Sequence, residues 1–154
     1  MSLKLFSSLK IQLISRKVGI EAQVKSEDYV DISTAVSGSG PAYVLLLMES
    51  MIDAACHMGM TRDLARKLVE ETFIGTSEHA KNSKSHTAVL RDEITSVGGT
   101  TAAALHNAEK GRFRAVISDM MSAAYERARQ LGGQPPNQSK PDKNKDLDYK
   151  KESQ

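Results

Sequence analysis

The feature that most constrains this chain is the segment 42–48, Ala-Tyr-Val-Leu-Leu-Leu-Met, which is apolar on every face of a helix. Pro41 stands at its start and Gly59 lies just beyond its end, so these signals predict one helix over residues 41–58. A helix that is apolar all round must be covered by protein, either by its own domain or by a partner subunit. We therefore expect this helix at the centre of the core.

Composition limits the class of protein. The 154 residues are enough for about one domain, with 40% hydrophobic residues, 26% charged residues and no Trp, which favours a soluble all-α fold. The net charge of +2 is too balanced to hold nucleic acid or anionic lipid, and no stretch approaches the ~20 apolar residues that span a bilayer. Cys56 is the single cysteine, so a reducing compartment such as the cytoplasm is expected.

Local patterns predict the other helices and their ends. Residues 28–34 open a short helix that the glycines of the 37–40 segment end, and Thr61 caps an amphipathic helix reaching about Lys81. Ser85 caps a short helix through Ile94, and two further helices follow over 101–109 and 113–131. Val18, Gly19 and Ile20 resemble the end of a strand. The segment 134–154 is too polar to bury itself and is predicted to be a disordered tail.

A glycine pair gives the strongest sign of chemistry. Residues 95–101 read Thr-Ser-Val-Gly-Gly-Thr-Thr and run into a small-residue helix. Free backbone N–H groups at such a helix start form a binding site for a small anion. One Thr hydroxyl could cap the helix while the other faces the ligand. The same residues are equally explained as a glycine-rich turn between two helices that Thr100 or Thr101 caps.

A second glycine segment leads into the apolar helix. Its residues are Ser37, Gly38, Ser39, Gly40 and Pro41. Backbone without side chains could approach a flat cofactor ring, although a tight helix entry explains the same pattern. The segment is not a dinucleotide-binding fingerprint, which would need a third glycine at Tyr43 and a preceding strand.

Other reactive residue types carry no pattern that predicts a site. His57, His79, His86 and His106 form no metal-ligand spacing with Cys56 or with a carboxylate cluster, so we expect no metal. Cys56 has apolar neighbours and is interpreted as a small hydrophobic residue, not as a nucleophile.

Taken together, the two glycine segments on a helical scaffold resemble the C-terminal dimerisation domain of pyrroline-5-carboxylate reductases. Residues 34–43, Thr-Ala-Val-Ser-Gly-Ser-Gly-Pro-Ala-Tyr, resemble the family's entry to its long central helix. Residues 95–101, with Glu-Lys-Gly-Arg-Phe-Arg at 109–114, resemble its signature segment. The chain departs from the family at Val97, where proline is usual, and at Ala108, where a larger apolar residue is usual. Because proline fixes φ and valine does not, the turn at Val97 is less stiff.

This resemblance implies a fold and an activity. The fold is an all-α bundle, residues 25–133, that interleaves with a second subunit as a homodimer or higher homo-oligomer. Residues 1–24 are then a remnant or replaced end of a missing dinucleotide-binding domain. The family reaction is the NAD(P)H-dependent reduction of 1-pyrroline-5-carboxylate to L-proline, and without that domain the chain alone is expected to be inactive.

Site roles follow from the same resemblance. Backbone N–H groups of Gly98, Gly99 and Thr100, with the Ser96 hydroxyl, would bind the substrate carboxylate. The Thr101 hydroxyl would be the catalytic group and would donate a hydrogen bond to the imine nitrogen. The 37–41 segment would lie near the nicotinamide of NADP or NAD.

Two other hypotheses stay open at this level. One is a non-catalytic assembly module that dimerises with itself or with full-length reductase. The other is a different reductase that shares this dimer domain. Plastids and mitochondria, as well as the cytosol, host enzymes of this kind.

Overall fold

The computed structural model describes residues 26–135, and this part of the chain is helical with no strand. The prediction of an all-α fold is confirmed. The helices are α1 (Glu27–Ser33), a π-helical turn (Thr34–Gly38), α2 (Gly40–His57), α3 (Arg62–Asn82), α4 (Thr87–Glu93), α5 (Thr100–Lys110) and α6 (Phe113–Leu131). The predictions for residues 1–24, including the strand end near Gly19, and for 136–154 lie outside the described residues.

The entry to α2 is not the loop that its glycines predict. The helical path continues from α1 through the π turn, where the Ser39 N–H donates to the Thr34 carbonyl at 2.8 Å, five residues back. Pro41 explains this local widening, because its ring has no N–H and would collide with the carbonyl of Ser37 in a regular α-helix. The expected break at 37–40 is therefore a π turn between two nearly continuous helices.

Glycines end α2 and α6 in the same way. At the end of α2, Gly59 has φ +103°, and Met60 N–H and Gly59 N–H donate to the Ala55 and Cys56 carbonyls at 3.0 Å each. The end of α6 repeats this arrangement, with φ +76° at Gly133. This hydrogen-bond pattern is the Schellman motif, which favours glycine because the left-handed conformation strains a side chain. The predicted stop signals are confirmed at both ends.

Helix starts agree less well with the predicted caps. Thr61 occupies the predicted cap position of α3, but its side chain makes no capping hydrogen bond. At α4 the cap is His86, not Ser85, and His86 Nδ1 accepts a hydrogen bond from the Ala88 N–H at 3.1 Å. A ring nitrogen replaces the usual hydroxyl oxygen, which is why Ser and Thr caps alone predict the start of α4 one residue early.

One residue of the predicted tail, Gln134, contacts the helical domain. The composition of the segment places Gln134 in the tail, but its Nε2 donates to Asp31 Oδ2 at 3.3 Å and its Oε1 accepts from Arg129 Nε at 3.2 Å. These hydrogen bonds fasten the end of α6 to α1. The described chain therefore stays attached to the helical domain up to Gln134.

The packing leaves α2 uncovered in the single chain, so the prediction that this helix is the centre of the core is wrong for the isolated subunit. Helix α2 packs on α3, and the π turn packs on α1, α2 and α6. Among the described residues the buried apolar side chains are few, namely Ala35, Ala65, Val69 and Leu90. In contrast, no residue of α2 is buried, and five of its large apolar residues are exposed, namely Val44, Leu45, Leu46, Leu47 and Met51.

The helical stretch from Asp28 to His57 is long and apolar enough, by length and composition alone, to cross a membrane. Only 6% of its apolar 18-residue segment is buried within the subunit. The count of consecutive apolar residues in the sequence predicts no such stretch. A helix that a partner covers in a soluble assembly has the same composition, so this criterion on its own does not identify a membrane protein.

The cap of α4 gives a stability prediction. His86→Ala removes the acceptor for the Ala88 N–H and should lower the free energy of unfolding by about 1 kcal/mol. His86→Asp supplies a carboxylate acceptor at the same position and should restore stability. Urea unfolding of the three proteins at one protein concentration measures the effect. Equal stability of the wild type and His86→Ala would show that this cap contributes nothing.

Candidate functional site

The glycine turn, residues 95–99, joins α4 to α5. The Gly99 N–H donates to the Ser96 carbonyl at 3.1 Å, and Gly98 has φ +70°. Val97 has no positive φ, so these features describe a type II β-turn with Val97 and Gly98 at its centre. Proline is favoured at the position of Val97 in such turns, and Val97 is fully exposed. The turn therefore holds its shape through glycine and one backbone bond, without packing of its tip.

The start of α5 differs from the predicted cap. Gly99 is the capping residue, and neither Thr100 nor Thr101 makes a side-chain cap bond, because both are already inside the helix. The first N–H groups of a helix have no partner within it. The Gly99 N–H, one of the predicted anion donors, is engaged by the Ser96 carbonyl. The available amides at this end are therefore those of Thr100, Thr101 and Ala102, together with Gly98 in the turn.

Three hydroxyl groups of the same segment have no hydrogen-bond partner among residues 26–135. They belong to Ser96 and Thr100, which are exposed, and to Thr101, which is half-buried. A hydroxyl that is not used within the chain can donate to or accept from a ligand. The structure thus brings the predicted residues 96–101 together in one short segment with free polar groups.

Gly99 has a specific steric role. A Cβ at this position would collide with Ser96 Oγ and would lie 3.2 Å from the Ser96 carbonyl oxygen. The absence of a side chain at Gly99 is therefore what lets the Ser96 hydroxyl lie over the start of α5. The sequence predicts Gly99 only as an amide donor, because this steric role depends on the fold of the turn.

The predicted cofactor segment lies in the π turn and the first residues of α2. The Ser37 hydroxyl donates to the Ser33 carbonyl at 2.8 Å, and the Ala42 N–H donates to the Ser39 carbonyl at 3.0 Å. A Cβ added at Gly40 would meet no atom within 4 Å, so backbone is accessible there. The backbone hydrogen bonds of this segment stay within α1, the π turn and α2, and do not reach the glycine turn.

Two clefts in the described part of the chain lie away from the glycine turn. One of about 370 Å³ lies between α3 and α4, next to Gly75, His79 and Arg91, and a wider one of about 710 Å³ runs along α2 and α3. None of the predicted site residues lines either cleft. Ser96 and Gly98 are exposed and Val97 is fully exposed, so the glycine turn lies at the surface of the isolated subunit.

Charged side chains of α2 and α3 form ordinary surface pairs. Arg62 Nη2 donates to Asp53 Oδ1 at 2.8 Å, and this hydrogen bond raises the pKa of the Arg62 guanidinium above its usual value. Arg66 pairs with Glu70 at 2.7 Å, which raises the pKa of Arg66 in the same way. Arginine is charged at any physiological pH, so these pairs provide no pH switch. In the described part of the chain no group of His, Cys, Asp and Glu side chains could hold a metal ion.

Comparison with known proteins places this geometry in a family. The family model for pyrroline-5-carboxylate reductase dimerisation matches residues 27–131, which include every described helix. The pyrroline-5-carboxylate reductase of Synechocystis is 42% identical over 123 residues, covering 80% of this chain and 46% of that protein.

Solved structures agree in fold. The crystal structure of Plasmodium falciparum pyrroline carboxylate reductase with NADP bound matches with a TM-score of 0.71 and 41% identity, over 74% of this chain and 43% of that one. The reductase from Coxiella burnetii matches with a TM-score of 0.76 and 35% identity, over 85% and 48%. The chain therefore spans less than half of the length of these relatives. By the match over residues 27–131, it belongs to the pyrroline-5-carboxylate reductase dimerisation family.

Proposed function

We propose that this chain provides the dimerisation and substrate-binding part of a reductase that converts 1-pyrroline-5-carboxylate into L-proline. The single observation that carries the proposal is the start of α5, where free amides and three unpaired hydroxyls of a family signature segment lie together. The matched relatives are named as reductases, which does not favour the alternative of a non-catalytic assembly module.

The carboxylate of the substrate would bind at the start of α5. Its oxygens would accept from the N–H groups of Thr100 and Thr101 and from the Ser96 hydroxyl, where the helix dipole also favours negative charge. The Gly98 amide faces no partner within the described chain and can add a further donor. Gly99 contributes by its missing Cβ, because its amide is engaged by Ser96.

The half-buried Thr101 hydroxyl would interact with the ring nitrogen of the substrate. It hydrogen-bonds the imine nitrogen, which makes addition to the C=N carbon easier, and it relays a proton to that nitrogen from water. A threonine hydroxyl is too weak an acid to be the original proton source. We therefore assign Thr101 an orienting and relaying role.

The cofactor would be NADP or NAD, which supplies a hydride to the C=N carbon when bound. The segment 37–41 fits the nicotinamide ring, because Gly40 leaves its backbone accessible and Ser37, Gly38 and Pro41 are exposed. It contains no cationic side chain, so it does not fit the phosphates. In this proposal these residues contact the ring and keep water from it.

A homodimer would cover the apolar face of α2. The exposed Val44, Leu45 and Leu46 form a surface that water disfavours, and the Tyr43 hydroxyl is buried without a partner among the described residues. A second copy would remove the apolar surface from water, as the family's dimerisation domain implies. The free Cys56 suits a reducing compartment, and we place the protein in the cytoplasm.

Ligand binding by this chain tests the substrate site. We expect the wild type to bind L-proline in calorimetry, and Ser96→Ala to weaken both L-proline and cyclopentanecarboxylate, which has the carboxylate but no ring nitrogen. Thr101→Val should weaken L-proline by about tenfold and leave cyclopentanecarboxylate unchanged, because only L-proline has a nitrogen for the hydroxyl. If Thr101→Val weakens both ligands equally, the assignment of Thr101 to the nitrogen is wrong. If the wild type binds neither ligand, the site itself is wrong.

A further inference from the structure

Thr95 is the anchored residue on the α4 side of the glycine turn. Its Oγ1 donates to the Arg91 carbonyl at 2.6 Å in a partly buried position, and its N–H donates to the Asp92 carbonyl at 3.0 Å. Both carbonyls belong to the last turn of α4, where carbonyl groups have no partner within the helix. Thr95 therefore extends the hydrogen bonding of α4 by one residue beyond its capping residue, Ile94.

The residues after Thr95 have little else to hold them. Ser96 and Gly98 are exposed, Val97 is fully exposed, and the bond from Gly99 N–H to the Ser96 carbonyl lies within the turn itself. At its other end the turn joins α5, where the Gly99 carbonyl accepts from the Ala103 N–H at 3.2 Å. On the α4 side, the path of the chain into Ser96 is set at Thr95.

The bond made by Thr95 also differs from similar bonds elsewhere in the chain. Several hydroxyls donate to the carbonyl four residues back, and those of Ser33, Thr34, Ser37, Ser50 and Thr72 lie on exposed helical residues. In a helix the backbone already fixes the residue, and such a bond adds little. Thr95 lies outside a helix, so its hydroxyl determines the path of the chain.

We propose that Thr95 is a positioning residue that fixes the glycine turn on the end of α4 and so aligns the Ser96 hydroxyl and the start of α5 for the substrate carboxylate. This inference rests on the proposed function for the carboxylate, while the anchoring of the turn stands on the hydrogen bonds alone. Thr95 does not touch the substrate. It acts through Ser96.

The test compares Thr95→Val, which keeps the side-chain shape but removes the hydroxyl, with Thr95→Ser, which keeps the hydroxyl. Thr72→Val is the matched control, because it removes the same kind of bond, 2.7 Å to the Leu68 carbonyl, from the middle of α3. Two readouts are measured on the full chain: the L-proline dissociation constant, and amide hydrogen exchange at Gly99 and Ala103, whose N–H groups donate to the Ser96 and Gly99 carbonyls.

We expect Thr95→Val to raise the dissociation constant by about tenfold and to speed exchange at both amides, with Thr95→Ser close to the wild type and Thr72→Val unchanged in both readouts. Unchanged exchange in Thr95→Val overturns the anchoring role. If Thr95→Val speeds exchange but leaves the L-proline affinity unchanged, Thr95 fixes the turn without aligning it for the ligand. If the wild type binds no L-proline but Thr95→Val still speeds exchange, the proposed substrate site fails and the anchor remains.

Discussion

Replacing Leu45 with Arg should abolish the proposed homodimer and leave a monomer. Leu45 is 63% exposed in the single chain, so a charge there disturbs little within the subunit. If a second copy covers this face, each subunit loses the burial of one leucine, about 1.5 to 3 kcal/mol, and must also desolvate a guanidinium. The dimer dissociation constant should rise by at least about a hundredfold. Light scattering over a range of protein concentrations measures it.

The matched control is Met58→Arg, at the turn after α2. Met58 is 83% exposed and receives the same charge, but it lies beyond the apolar face. We expect Met58→Arg to dimerise like the wild type. A Leu45→Arg protein that dimerises with unchanged affinity would show that the second copy does not cover this face. A monomeric wild type at micromolar concentration would overturn the homodimer proposal.

Replacing Gly99 with Ala should abolish or strongly weaken L-proline binding while leaving the fold intact. The backbone of Gly99, with φ −79° and ψ 172°, is open to any residue. The new methyl group would instead meet Ser96 Oγ, which can rotate away, and would lie 3.2 Å from the Ser96 carbonyl oxygen, a contact that a turn shift of a few tenths of an ångström relieves. The rotation removes the Ser96 hydroxyl from the start of α5, so we expect L-proline affinity to fall by at least about tenfold, with the unfolding free energy changed by less than about 1 kcal/mol.

Gly75→Ala provides the comparison for this glycine. Gly75 lies in the middle of α3, and an added Cβ there meets no atom within 4 Å. The same chemical change should stabilise the protein by up to about 1 kcal/mol through helix propensity and leave L-proline binding unchanged. Calorimetry and urea unfolding on both variants separate the two effects. If Gly99→Ala binds L-proline as well as the wild type does, the Ser96 hydroxyl takes no part in ligand binding.

The sequence predicts the helices well where local chemistry decides them. The ends of α2 and α6 can be found from the sequence because Gly59 and Gly133 adopt conformations that other residues resist. The amphipathic pattern gives α3 and α6 within one or two residues of their observed ends. The signature segment at 95–101 indicates the family from residue types alone, and the family match over 27–131 confirms it.

The errors fall where several local solutions compete. The glycines before Pro41 predict a loop, but a π turn accommodates the proline ring and its missing N–H without breaking the helix. Ser85 is the expected start of α4, because sequence does not show that the His86 ring can accept the capping bond. Thr100 and Thr101 are the expected caps of α5, yet the turn places Gly99 in that position. In each case the choice depends on backbone geometry that residue types alone do not define.

The sequence by itself determined that the described part of this protein is all-α, that its glycines stop two helices, and which family the segment 95–101 indicates, because helix periodicity, glycine conformation and a signature segment each depend on a few residues. Tertiary structure decided where the core lies and which groups of the glycine turn are free. The sequence required that α2 be covered, since it is apolar on every face, but the fold shows that the chain's own helices leave it exposed. Burial depends on which surfaces meet in space, and that is a property of the packed chain, not of any segment within it.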